Sequence, residues 1–180
     1  MHRPMLLALA VVTTLGVSIS TGQASSGLRD TLTDRFRLSR IEVQNPGVEG
    51  HVMKQGTVLR LQRDGMPANV LRTVQANTKS PRFHVRDYAR VEVRQDGQLT
   101  LTPGALSLTK GTPLVVLDVK VDPDRVHLFT HTLDPVRLPD GRAAYGCTEF
   151  VFIFDPATLH QEDIATVVAS RIDQWLSVIS

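Results

Sequence analysis

Cys147 is the only cysteine among 180 residues. A chain with one cysteine closes no internal disulfide, so its stability rests on ordinary packing. An excess of charge of one sign is also missing: 20 Lys and Arg face 18 Asp and Glu, a formal net of +2. That balance argues against a general nucleic-acid or acidic-lipid binder, whose affinity comes from neutralising phosphates. Past residue 24 no apolar run approaches the roughly 20 residues a helix needs to span a bilayer. There is no phosphate-binding glycine loop, no dinucleotide fingerprint, no zincin helix motif and no nucleophile elbow. No cofactor is implied.

The start of the chain carries the strongest motif. Met1-His2-Arg3-Pro4 is a short basic region, Met5 to Ile19 is apolar, and Gly22-Gln23-Ala24 offers small residues at the −3 and −1 positions of a cleavage site. Residues 1–24 read as a secretory signal peptide, which makes the product periplasmic or extracellular. Thr13, Thr14 and Gly16 interrupt the apolar run and weigh against a retained anchor. No cysteine near the cleavage site supports a lipid anchor. Cleavage after Ala24 leaves residues 25–180, one domain's worth of chain without a membrane span.

Residues 25–40 are predicted to be a flexible arm or a short helix, with Leu28, Leu32, Phe36 and Leu38 at loose helical spacing. Residues 41–180 then read as a single β-rich domain. Its centre is the stretch from Leu108 to Leu133. Thr112 to Val121 alternates, with Val115, Leu117, Val119 and Val121 on one face and Leu114, Val116, Asp118 and Lys120 on the other. Asp122-Pro123-Asp124 turns the chain, and Arg125 to Leu133 returns with His127, Phe129 and His131 on one face. His51 to Gln62 is a further strand region, ended by Asp64-Gly65 and Met66-Pro67. Val91 to Gln95 and Gln98 to Thr102 flank Asp96-Gly97 and predict a hairpin with a type I′ turn. Ala144 to Phe154 places Phe150, Phe152 and Phe154 on one face, each contributing roughly 1.5–3 kcal/mol when fully buried. A helix over 161–178, with Ile164, Val168, Ile172 and Trp175 at helical spacing, is expected to dock on the sheet.

Three groups of residues are candidates for chemistry. Cys147 is a candidate nucleophile with His131 as its base; His51, His84, His127 and His160 are the other histidines in play. Against it, a thiol on a buried strand has a raised pKa and is inert. His127 and His131 point to one face but stand about 13 Å apart along a strand, too far to share a metal ion, so no metal site is assigned. Arg82, Arg86, Arg90 and Arg94 recur every four residues and read as a solvated face.

Leu108-Thr-Lys-Gly-Thr, Val115 to Val121 and Val126 to Phe129 resemble the opening strands of bacterial SH3-like barrels. The wider layout is similar to secreted proteins of environmental bacteria in which a Lys-Gly turn leads a hairpin, a phenylalanine-rich strand precedes a proline and an amphipathic helix ends the chain. The resemblance implies no functional residue. The expectation is therefore a mainly β or α+β fold: an antiparallel, partly closed, SH3-like barrel of five to seven strands with a C-terminal helix packed on it. Its expected role is an exported non-catalytic module that binds an envelope protein, a glycan or a small ligand. The alternative is a small envelope enzyme using Cys147.

Overall fold

The computed structural model describes residues 21–42, 51–74, 83–85, 87–138, 140–161 and 163–179. Helix α1 (Thr21–Phe36) comes first. The strands β1 (Arg40–Glu42), β2 (His51–Lys54), β3 (Val58–Leu61), β4 (Met66–Val70), β5 (Arg72–Val74), β6 (Phe83–Val85), β7 (Ala89–Val93), β8 (Leu99–Leu101) and β9 (Leu106–Leu108) follow. Then come β10 (Pro113–Asp122), β11 (Arg125–Thr132), β12 (Val136–Arg137), β13 (Ala143–Ala144), β14 (Gly146–Ile153), a 3-10 turn at Thr158–His160, α2 (Ile164–Asp173) and β15 (Leu176–Val178). The fold is mainly β, a sheet curled into a half-barrel, with two α-helices among the described residues. The main sheet has nine strands among the described residues, in the order β15-β3-β10-β11-β14-β4-β9, with β7 also on β14 and β8 on β7. Three short two-stranded pairs, β1–β2, β5–β6 and β12–β13, lie outside it.

The sheet has more strands than expected and is not wholly antiparallel, because β7 runs parallel to β14, from Thr148↔Ala89 to Phe152↔Val93. The near end of β14 pairs instead with β4, Gly146↔Val70 and Cys147↔Asn69. One strand thus serves two neighbours on the same side. The sequence reading stopped a strand at Met66-Pro67, where β4 in fact begins. Proline lacks the ladder N–H, but the Pro67 carbonyl is satisfied by the Thr148 hydroxyl at 2.8 Å.

The β10–β11 hairpin is as expected, with Asp122↔Arg125 closing a two-residue Pro123-Asp124 turn. The alternation along β10 is not. Val116 pairs with Thr130 and Asp118 with Phe129, so Leu117 is the extra residue of a β-bulge. The bulge reverses the phase: Leu114 and Val116 before it, and Val119 after it, all join the main core, whereas Val115 and Asp118 face outward. The bulge lies where the β3 side of β10 runs out of strand partners, since β3 covers only Pro113 to Val115. Ser39 N–H donates to the Val116 carbonyl at 2.7 Å, Arg29 Nε donates to the Val119 carbonyl at 3.0 Å, and the Asp118 carboxylate takes Val119 N–H at 2.8 Å. Groups from α1 and its exit therefore replace the missing strand.

Residues 25–36 are helix, and α1 is part of the domain rather than an arm: Leu28, Leu32 and Phe36 are buried in the core and the helix packs on β10 and α2. It ends at Arg37, which takes a left-handed φ of 38°. Thr57 N–H then donates to the carbonyls of Phe36 and Arg37, so the β2–β3 connection caps the helix. Here glycine is required: a Cβ on Gly56 would stand 1.5 Å from the Arg37 carbonyl oxygen. Gly111, which follows a similar Lys-containing stretch, does another job, holding a φ of +92° in an open turn.

The phenylalanine strand behaves as expected, with Phe150, Phe152 and Phe154 buried against Leu128, Val126 and α2's Val168 and Ile172. The last helix is shorter than the predicted 161–178. It stops at Asp173, and Leu176–Val178 becomes the strand that pairs with β3. The Trp175-Leu176 positions fit helical spacing and are buried, but burial is reached by a turn into the sheet edge. The Asp96-Gly97 hairpin also forms, with a different turn from the one predicted. Gly97 N–H donates to Arg94 O and Arg94 N–H to Gln98 O, both at 2.9 Å, and only Gly97 has positive φ, at 84°. This is a three-residue loop with glycine at the bulge position.

Two substitutions check the α1 junction. Gly56→Ala should lower unfolding free energy by roughly 2–4 kcal/mol, because the contact is with backbone and cannot give way. Arg37→Gly should raise it by a few tenths to about 1 kcal/mol by relieving positive φ. Urea unfolding followed by Trp175 fluorescence measures both; an unchanged midpoint for Gly56→Ala would contradict the close approach.

Candidate functional site

Two regions gather polar side chains. The first is a row across the outward face of the sheet. Inward positions of β7, β14 and β11 carry Val91, Phe150 and Leu128, so Arg90, Glu149 and His127 must face the other way. Glu149 and His127 are diagonal neighbours: Phe129 pairs with Glu149 and His127 with Val151. Arg90 Nε donates to Glu149 Oε2 at 2.8 Å, and His127 Nδ1 lies 2.7 Å from Glu149 Oε1. The other ring nitrogen lies 3.1 Å from Asp122 Oδ2, which also accepts from Lys120 Nζ at 2.9 Å. The Lys120 ammonium, followed by the charge and hydrogen bond of His127, holds the Asp122 carboxyl below its ordinary 3.8, against an opposing push from burial. At the turn, the Arg125 guanidinium similarly holds Asp124 down, and is itself held up by it. His127 and Glu149 are both buried, at 6% exposure each.

Further along the same face lies the row that the sequence singled out. Cys147 is the cross-strand partner of His131 and of Asn69, which puts their Cβ atoms on one face about 4.5–5.5 Å apart. The candidate nucleophile and its candidate base are therefore brought together. Access is not provided: both residues have 0% exposure. His131 Nδ1 donates to the Thr132 carbonyl at 2.6 Å, and the ring stacks on Tyr145 with centroids 4.8 Å apart. The Asn69 side-chain oxygen accepts from Ala105 N–H at 3.2 Å, which ties it to the loop before β9. His127 and His131 do share a face, with Phe129 between them. Among the described residues no group of three or more His, Cys, Asp and Glu is arranged to hold a metal ion. Of the arginine series, Arg90 anchors Glu149 and Arg94 is exposed, while residues 82 and 86 lie outside the described residues. The side chains of His51, His84 and His160 are likewise outside the description.

The second region was not legible in the sequence. At the open end of the half-barrel, the β3–β4 turn, the β7–β8 hairpin, the β9–β10 turn and the end of α2 surround a cleft of about 760 Å³. Gln62, Arg63, Asp64, Lys110, Asp96 and Arg171 supply its polar wall; Met66, Val93, Leu99 and Trp175 its apolar one. Arg63 lies over the Trp175 ring at 5.0 Å, a cation–π contact. Arg171 reaches across to the Arg94 and Gln95 carbonyls and covers Phe154, locking α2 to the hairpin. Its Nε is buried without a hydrogen-bond partner, and burial pulls the guanidinium below the usual arginine range although Asp96 pulls it up. Four segments, far apart in sequence, build this cleft; no local motif marks it.

A comparison of the chain with known protein families, with curated proteins and with solved structures finds no match in any of the three.

Two measurements test the outward row. Glu149→Ala leaves Arg90 and a buried His127 without their carboxylate and should cost about 2–3 kcal/mol in urea unfolding at neutral pH. Asp122 has a depressed folded pKa, so its contribution is complete above the ordinary 3.8 and is lost as pH falls through the lower folded value. Lys120→Met, which removes the main cause of that depression, should shift the acid-unfolding midpoint of the protein upward in a circular-dichroism titration.

Proposed function

We propose that this chain is an exported, non-catalytic β-rich module that binds a small ligand, a glycan or an envelope protein in the cleft at the open end of its half-barrel. The observation that carries the reading is where polar groups are left accessible. On the outward sheet face, Arg90, Glu149, His127 and Asp122 satisfy one another. In the cleft, charged side chains border an apolar wall with Leu99 38% exposed. Concave sites with a few convergent polar groups and an apolar lining are where small ligands bind.

Export is supported by the basic and apolar opening segments and the Gly22-Gln23-Ala24 pattern. The α1 side chains named above, Leu28, Leu32 and Phe36, all lie downstream of that point, so cleavage after Ala24 spares them. Among the described residues no helix is long and apolar enough to cross a membrane. The SH3-like character of the barrel, and membership among the secreted bacterial proteins it resembles, belong to the same proposal. The curl of the sheet and the tight β10–β11 hairpin support them.

A second reading has one observation in its favour: the Cys147–His131 juxtaposition would serve a small envelope enzyme if the site opened. Thiol labelling separates the two. The folded protein should leave Cys147 unlabelled by a water-soluble disulfide reagent over an hour and react fully in denaturant. Labelling of the native state at the rate of a free thiol would favour the enzyme. The mature protein should begin at Ser25 by N-terminal sequencing of material recovered from outside the cytoplasm.

A further inference from the structure

Resting on the cleft as the binding site, we infer that it takes a small molecule through an anionic oxygen group, a carboxylate or a phosphate, placed between Lys110 and Arg63. The cleft holds three cations, Arg63, Lys110 and Arg171, and two carboxylates, Asp64 and Asp96. Among the described residues neither carboxylate forms an ion pair within 4 Å, although the charge of Asp96 acts on Arg171. Asp64 accepts the backbone N–H of Lys110 at 2.8 Å, and Asp96 accepts that of Gln98 at 2.9 Å, so each holds a loop in place. Arg171 has given its terminal nitrogens to backbone carbonyls of the hairpin. Among the described residues Lys110 Nζ and the Arg63 guanidinium have no carboxylate, hydroxyl or carbonyl partner; Arg63 has only the indole face beneath it.

Several cations outside the cleft are matched. Arg90, Arg125, Arg35, Arg142 and Lys120 each sit within 4 Å of a carboxylate. In the cleft, Arg63 lies over the Trp175 ring and Lys110 is carried on an ordered turn. Lys110 sits in a turn fixed by Gly111 N–H on the Leu61 carbonyl, by Thr112 N–H and hydroxyl on the Thr109 carbonyl, and by Asp64. An anion entering there meets donors whose backbone is already ordered, against a wall of low dielectric, and gains charge-assisted hydrogen bonds at little entropic cost. The exposed Leu99 and the thioether of Met66 give the ligand an apolar shoulder.

Trp175 is the only tryptophan in the chain and lines the cleft, so its fluorescence reports occupancy. The full-length protein is titrated with inorganic phosphate, with galacturonate, and with galactose as the neutral match, with thermal shift as the second readout. At least one anion should give a saturable change that weakens as salt rises, and galactose should give none. Lys110→Gln should weaken that binding by at least about tenfold, the scale of a lost charge-assisted bond, and Arg142→Gln, on a remote loop, should not. Response to phosphate alone identifies a phosphate source, and response to galacturonate alone a carboxylate source; either supports the inference. Silence with both anions, or equal binding by Lys110→Gln, overturns it. If galactose binds as well as galacturonate, the anionic group is wrong while the cleft remains the binding site.

Discussion

A ten-residue strand that borders β3 over its first part and α1 over its second has to change phase once, and Leu117 is where β10 does so. Without the extra residue, strict alternation would carry Val119 and Val121 outward and turn Asp118 and Lys120 into the core. Burying an unpaired ammonium or carboxylate costs several kcal/mol even after relaxation, whereas a bulge forgoes about one ladder bond, a net of roughly 0.5–1.5 kcal/mol. The second cost is smaller, and it is largely offset, because Ser39, Arg29 and Asp118 satisfy the carbonyls and the N–H left around the bulge. The same phase change places Lys120 and Asp122 beside His127. Both the inward core and the outward polar row thus follow from a single inserted residue, and α1 is held to the sheet by the bonds that repair it.

The two polar regions solve opposite problems. On the outward face His127 lies between two carboxylates, and each carboxylate has a cation of its own. Such a row is closed: the carboxylates of Glu149 and Asp122 each meet a cation and the His127 ring, and removing Glu149 leaves the buried His127 without one of its carboxylates. At the barrel end the carboxylates are used as loop clamps, which leaves Lys110 and Arg63 as unanswered charge in a concave space. Closed networks hold a fold, while unanswered groups in a preorganised concavity are what a ligand can use. The Cys147–His131 pair is cross-strand and buried, with no exposed surface on either residue.

Several elements could be read from residues alone because they depend on neighbours in sequence. The alternation of Phe150, Phe152 and Phe154, the Pro123-Asp124 turn and the glycine at position 97 each report a local period or a local φ. The errors lie where a distant segment changes the local preference. Gln55-Gly56-Thr57 breaks a strand because the end of α1 passes over it, and a carbonyl at Arg37 leaves no room for a Cβ. Leu176 fits a helical stripe, but an open edge at β3 offers backbone partners that a further helical turn would not. Pro67 stands in a strand because the Thr148 hydroxyl, eighty-one residues away, takes its carbonyl.

The sequence by itself determined the β-rich class, the inward phenylalanine row, the central hairpin and the presence, though not the length, of an amphipathic helix near the end, since side-chain period and turn chemistry are properties of consecutive residues. Only the tertiary structure decided the parallel placing of β7 on β14, the pairing of His127 with Glu149 and the assembly of the cleft from four separate segments. Register between strands and the balance of charge across a concavity are set by which segments meet, and nothing in the order of residues along one segment states which partner it will have.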